Sequence, residues 1–338
     1  MAVDATTVPA VFIFGDSTVD VGTNNHFNIP KEAKANYPPN GIDYPGSKAT
    51  GRFSNGYNIA DFLSQLMGFR KSPPPFLDLL DRSTLRLPND IIHGANFASG
   101  AAEVLDHAGG FADQVFFLTK QIQQFATVRG NLTAILGPEA TDRLLSKSIY
   151  FLSIGSNDIL GFYLLNGTFN QEKFVATLAD AYENHLRILY SNGARKFGII
   201  SVSAIGCVPA QRIYNDTDCV EDLNKFSQIF HLKMVTMLAR LGSELKEMKY
   251  SLGNMYEMAI YFLTNAYRYN FTELASPCCG NDLIPCIIKF GLCPNRDEYL
   301  FWDWMHPTQA AAKLAAQTLY DEDPKFVTPI GLKKLAED

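Results

Sequence analysis

The sequence predicts an α/β fold with a five-stranded parallel sheet. Three observations lead there. The chain has 338 residues and 47% hydrophobic composition, enough for a large core without repeats. Short apolar segments alternate along it with longer amphipathic ones. The short segments are apolar at successive positions, as strands buried on both faces require.

Taken in order, the strands are expected at 10–14 (AVFIF), 91–96 (IIHGAN), 148–154 (SIYFLSI), 196–202 (KFGIISV) and 249–255 (KYSLGNM). Each is short and rich in β-branched or aromatic residues. Helical periodicity covers 56–67, 113–129, 171–191, 222–247 and 307–320. Alternation of this kind implies right-handed crossovers, with helices on both faces of the sheet. Segments 28–55 and 69–90 are Pro-, Gly- and Asn-rich and long for internal connections; with 256–295 they are expected to wall a substrate cleft. No repeat or polar linker divides the chain, so one domain over 9–320 is expected, flanked by flexible segments at 1–8 and 321–338.

Charge and composition exclude several classes. Lys plus Arg total 29 against 35 Asp plus Glu, net -6, with no basic run, so nothing favours nucleic acid or anionic membranes. No apolar stretch reaches the roughly 18 residues that span a bilayer. The first residues lack the basic and apolar regions of a signal peptide. Four Asn-x-Thr acceptors, at Asn131, Asn166, Asn215 and Asn270, nevertheless point to a secretory route. So do the six cysteines, Cys207, Cys219, Cys278, Cys279, Cys286 and Cys293. Their spacing lacks the paired C-x2-C of structural zinc sites, so three disulfides are expected and no metal. Cys207 with Cys219 is favoured because the intervening loop is short; the other pairings stay open. The combined reading is a secreted protein whose signal peptide is absent, with a starting Met in its place.

In open parallel sheets ligands sit beyond the carboxyl ends of the strands, and four motifs fall there. Gly15-Asp16-Ser17 follows the first strand; Ser17 reads either as a helix cap or as an exposed nucleophile. Gly100, in the small-residue run after the second strand, reads as close packing or as a bare N–H donor. Asn157, after the third, is a turn residue or an oxyanion donor. Near the end, Asp303 stands three residues before His306, with Pro307 expected to start the final helix. A carboxylate so spaced holds the imidazole Nδ1–H and frees Nε2 as a base. His185 and His231 lie within helical patterns, His26 and His107 in loops and His93 in a strand. Nucleotide-binding glycine motifs and the G-x-S-x-G elbow are missing around Ser17.

Together these blocks resemble the GDSL, or SGNH, hydrolases, and in particular their secreted plant esterase/lipase branch, over about 9–320. FIFGDSTVDVGTNN, GANFASGAA, GSND and FWDWMHPTQAA are similar to its four blocks, and GRFSNG, GCVP and CCG also match. Thr18 stands where the family name expects Leu, Thr23 replaces a frequent Asn and Ala101 a frequent Gly. The resemblance implies a flavodoxin-like three-layer α/β/α sandwich and a serine esterase needing no cofactor. It assigns Ser17, Asp303 and His306 to a triad, and Ser17 N–H, Gly100 N–H and the Asn157 amide to the oxyanion hole. The implied substrate is an ester of a lipid, an acylated sugar or a small phenol, met by a monomer. The same triad would serve an acyltransferase if an alcohol acceptor replaced water.

Overall fold

The computed structural model describes residues 8–81, 91–106, 115–216, 218–321 and 323–338. Strands β1 (Val11–Gly15), β2 (Gly94–Asn96), β3 (Ile149–Ser153), β4 (Lys196–Ile200) and β5 (Lys249–Gly253) form a parallel sheet. The strand order is β2-β1-β3-β4-β5-β8, where β8 (Val327–Pro329) runs antiparallel to β5. The parallel part has the flavodoxin order, which reverses direction between β1 and β3. A separate pair, β6 (Glu273–Pro277) and β7 (Tyr299–Phe301), lies outside this sheet.

The helices are α1 (Ile59–Leu66), α2 (Phe76–Asp81), α3 (Leu118–Leu136), α4 (Pro138–Lys147), α5 (Ser156–Asn166) and α6 (Gln171–Ser191). They continue with α7 (Pro209–Arg212), α8 (Glu221–Glu244), α9 (Met255–Thr264), α10 (Gln309–Tyr320) and α11 (Leu332–Glu337). Side chains alternate across the sheet, which divides the core in two. Phe12, Phe14, Tyr150, Leu152 and Phe197 pack under α3, α6 and α8, meeting Phe125, Leu178 and Phe230. Val11, Ile13, Ile149, Phe151 and Ile200 face the other way, against Leu63 of α1, Ala312 and Leu319 of α10 and Leu335 of α11. This is why the strands read as apolar throughout.

Among the described residues the five expected strands are present, and the main sheet has a sixth, apart from the separate β6–β7 pair. The sixth comes from the segment 321–338, which was expected to be flexible; β8 pairs with β5, and Leu332 and Leu335 are buried. Three residues ending in Pro329 leave no periodic signal, because proline is confined to sheet edges and strand ends. Of the segment 1–8, expected to be flexible, residues 1–7 lie outside the described residues and Val8 is buried. Residues 92 and 93 turn rather than extend, so the second strand begins at Gly94. Helices α2, α4, α5, α7, α9 and α11 were not expected. Met255, read as the end of a strand, opens α9, which Asn254 caps by accepting the Glu257 N–H at 3.1 Å.

Because α11 contributes buried side chains to one face of the sheet, Leu335→Ala should lower unfolding free energy by about 2–5 kcal/mol. A urea transition with an unchanged midpoint would contradict that role.

Candidate active site

The site is built from the end of β1 outward. A Cβ at Gly15 would overlap the Ser153 carbonyl oxygen and the Val19 side chain, so only glycine fits. Gln121 of α3, fully buried, clamps this residue, accepting the Gly15 N–H and donating to the Gly15 carbonyl, both at 2.8 Å. The chain then makes one helical turn. Asp16, not Ser17, caps it: its Oδ1 accepts the Thr18 N–H at 2.9 Å and the Thr18 hydroxyl at 2.7 Å. The Ser17 hydroxyl is thereby left for another partner, and the two readings of Ser17 separate.

That partner is His306, whose Nε2 lies 2.8 Å from Ser17 Oγ. Its Nδ1 sits 2.8 and 2.9 Å from the two oxygens of Asp303. Asp303 Oδ1 also accepts the Met305 and His306 backbone N–H groups at 2.9 and 2.8 Å, so the carboxylate cannot swing away. Burial pulls the His306 pKa down, but the charge and hydrogen bond of Asp303, with Asp16 nearby, outweigh it and the net shift is upward.

The 302–308 segment is braced from three sides. Trp302 is wholly buried among the paired cysteines Cys278–Cys293 and Cys279–Cys286, and its Nε1 donates to Asn40 Oδ1 at 2.8 Å. Its backbone N–H donates to the His306 carbonyl at 2.8 Å. The Phe53 ring lies 4.9 Å from the imidazole, and Asn55 accepts the Gln309 N–H at 2.8 Å. Arg52, beside them, forms a buried bidentate pair with Asp61 at 2.7 Å. Through these contacts the GRFSNG stretch supports the imidazole and the start of α10. Pro307 lies before α10, whose cap is Thr308 accepting the Ala311 N–H at 3.2 Å; the expected helix start at Pro307 is two residues early.

The three expected oxyanion donors are placed differently from one another. Ser17 N–H has no hydrogen-bond partner among the described residues. Asn157 stands in the first turn of α5; one amide hydrogen goes to the Ala102 carbonyl at 2.9 Å and the second is unspent. Gly100 departs from expectation. Its N–H donates to Asp20 Oδ2 at 3.0 Å, because that buried carboxylate gathers N–H groups, also taking those of Gly22 and Thr23 at 2.8 Å. Burial pushes Asp20 up to about 6 against the pull of those donors. The next residue, Ala101, has φ of 65° and is exposed, and its N–H has no partner among the described residues. The positive φ explains why a glycine is frequent at this position.

A neighbouring carboxylate holds the same loop: Asp158 accepts the Val104 and Leu105 N–H groups at 2.9 Å. Burial raises Asp158 to about 7. Neither Asp20 nor Asp158 was singled out from sequence, where a buried acid that accepts backbone donors carries no local signature.

Ser17, Ala101, Asn157, Asp303 and His306 border one cleft of about 540 Å³. Segment 28–55 contributes Ile29 and Phe53 to its wall, and 256–295 contributes Leu283; part of 69–90 lies outside the described residues. All six cysteines are paired, Cys207 with Cys219 as favoured. The remaining histidines lie elsewhere: His185 contacts the Val104 carbonyl, His231 the Ser201 hydroxyl and His26 Asp78. His93 is exposed, and His107 lies outside the described residues.

The chain matches the model of the GDSL-like lipase/acylhydrolase family over residues 11–319. A GDSL esterase/lipase of Arabidopsis thaliana is 35% identical over 97% of this chain and 90% of its own length. A second from that plant is 34% identical over 97% of this chain and 87% of its own. A third is 36% identical over 90% and 85%. A serine at the tip of the first strand, facing an imidazole 289 residues later, thus lies within a chain that belongs to the GDSL-like lipase/acylhydrolase family.

Proposed function

We propose that the protein hydrolyses carboxylic esters through an acyl-serine at Ser17. The observation that carries this reading is the continuous line from Ser17 Oγ through His306 to Asp303, with every contact between 2.8 and 2.9 Å. Ser17 Oγ attacks the ester carbonyl as His306 Nε2 takes its proton, and Asp303 stabilises the imidazolium. The developing oxyanion is met by Ser17 N–H, Ala101 N–H and the unspent Asn157 amide hydrogen; Ala101 takes the place first given to Gly100. Collapse expels the alcohol, which receives the proton from His306. Water then adds to the acyl-serine, giving its proton to His306, and release of the acid returns Ser17 to its hydroxyl form.

We also propose that the protein works in the secretory lumen or outside the cell. Three disulfides suit an oxidising compartment. Asn166, Asn215 and Asn270 are exposed, whereas Asn131 is half-buried within α3. Among the described residues no helix is long and apolar enough to cross a membrane.

With p-nitrophenyl acetate, Ser17→Ala should abolish turnover and Asn157→Ala should lower kcat on the order of 10²–10³ with KM little changed. An Asn157→Ala enzyme with wild-type kcat would remove the amide from the oxyanion site. Since His306 must be neutral to act and its pKa is raised, the acid limb of kcat/KM should lie above pH 6.5. In Asp303→Asn burial is opposed only by the charge of Asp16, so the limb should move to lower pH while kcat drops by about 10⁴; a stationary limb contradicts the pairing. Protein made in plant secretory cells should lose glycans from Asn166, Asn215 and Asn270 on glycosidase treatment, read by peptide mass. Unmodified peptides at all three would count against the secreted reading.

A further inference from the structure

Ser17, Asn157, Met305 and His306 border a second, smaller cavity as well as the cleft, so the reacting serine stands in a wall shared by two spaces. The inner one has a volume of about 160 Å³ and is the more enclosed. It runs between the sheet and the helices on one face. Its walls include Met255, Ala259 and Phe262 of α9, Ala312 and Ala315 of α10, and Ile200 at the end of β4. None of the mechanism above uses it.

Polar groups border it at the strand ends, and several of them are bonded within the protein. Asp16 Oδ1 is taken by Thr18, Ser153 Oγ lies 3.1 Å from Thr18 Oγ1, and Ser201 Oγ accepts the Met255 N–H and meets His231 Nδ1. What the cavity offers a ligand is mostly apolar surface, from Met255, Ala259, Phe262, Ala312 and Ala315. Its size is that of a cavity known to hold one benzene molecule, so it accepts a group of about six carbons.

We propose that this inner cavity is the acyl-binding pocket and that it selects short, apolar acyl groups of about six carbons. The assignment rests on the ester-hydrolase reading and extends it to the substrate. Two arguments choose acyl over alcohol. The alcohol must leave and water must enter at mid-reaction, and both need the wider, more open cleft. The acyl group stays bonded to Ser17 through that exchange and needs no exit until the end, so it suits the more enclosed space. The small side chains at Ala259, Ala312 and Ala315 leave this volume open where α9 and α10 approach the sheet.

The test uses two series of esters: p-nitrophenyl esters from acetate to dodecanoate, and acetate esters of alcohols of matching length. In the wild type, kcat/KM should rise about fourfold per methylene up to about six carbons and then fall. Ala259→Leu, which fills the pocket, should lower the hexanoate-to-acetate ratio of kcat/KM at least tenfold. Met255→Ala, which enlarges it, should raise the decanoate-to-hexanoate ratio by a similar factor, and serves if the first variant folds poorly. Ratios unchanged in both variants overturn the assignment. Ratios that move with the alcohol series instead overturn it too, by giving the pocket to the alcohol. No turnover of any ester in either series sinks the hydrolase reading and the pocket with it, whereas turnover with flat ratios sinks the pocket alone.

Discussion

Hydrogen bonding that continues past the carboxyl end of β1 is the constraint on which the site depends. Within the sheet, β1 pairs with β2 on one side and β3 on the other. Beyond it, the Asp16 N–H still reaches the Ser153 carbonyl at 3.1 Å, and the Ser99 N–H reaches the Gly15 carbonyl at the same distance. Three loops that would diverge in an ordinary sheet are thus kept in register for one more step. Ser17, Ala101 and Asn157 each lie within four residues of those bonds. Reversal of strand order at β1 and β3 opens the crevice there, and this ladder shapes it.

Buried carboxylates do the finer positioning. Asp20, Asp158 and Asp303 are each under a twentieth exposed, and each accepts two or more backbone N–H groups from loops around the site. Burying a charge is costly unless it is paired or hydrogen-bonded, and unpaired loop amides are costly in the same way. Putting the two together satisfies both, and it leaves the loop backbone with little freedom. The raised pKa values of Asp20 and Asp158 show that desolvation exceeds the compensation there. In this design the Gly100 N–H is spent on structure. The N–H left without a partner among the described residues is that of Ala101, whose φ lies in the left-handed region.

His306 arrives from the far end of the chain, and its support is covalent as well as hydrogen-bonded. Two disulfides enclose Trp302, which adjoins Asp303. Cross-linking a loop stabilises mainly by limiting the unfolded chain. Here it also surrounds the side chain that anchors the loop of the imidazole. A long loop that must present one nitrogen 2.8 Å from a distant hydroxyl needs such anchoring, since orientation contributes a large part of catalysis.

Much of this was legible in the residues themselves. Apolar runs at 10–14, 148–154 and 196–202 marked strands because a strand buried on both faces has no polar side to show. Ser17, Asn157, Asp303 and His306 stood out because strand ends are few and their chemistry is specific. The short β8, the capped α9 and the pairing of the distal cysteines were not legible, since each depends on a partner far along the chain. That the Gly100 N–H is spent could not be read either, because its acceptor, Asp20, lies 80 residues earlier. The sequence by itself determined the order of elements and the reactive groups at their ends, through periodicity and side-chain chemistry. Only the tertiary structure decided which loop N–H groups are paired, the brace around His306 and the inner cavity, because these arise from distances between residues that local pattern does not encode.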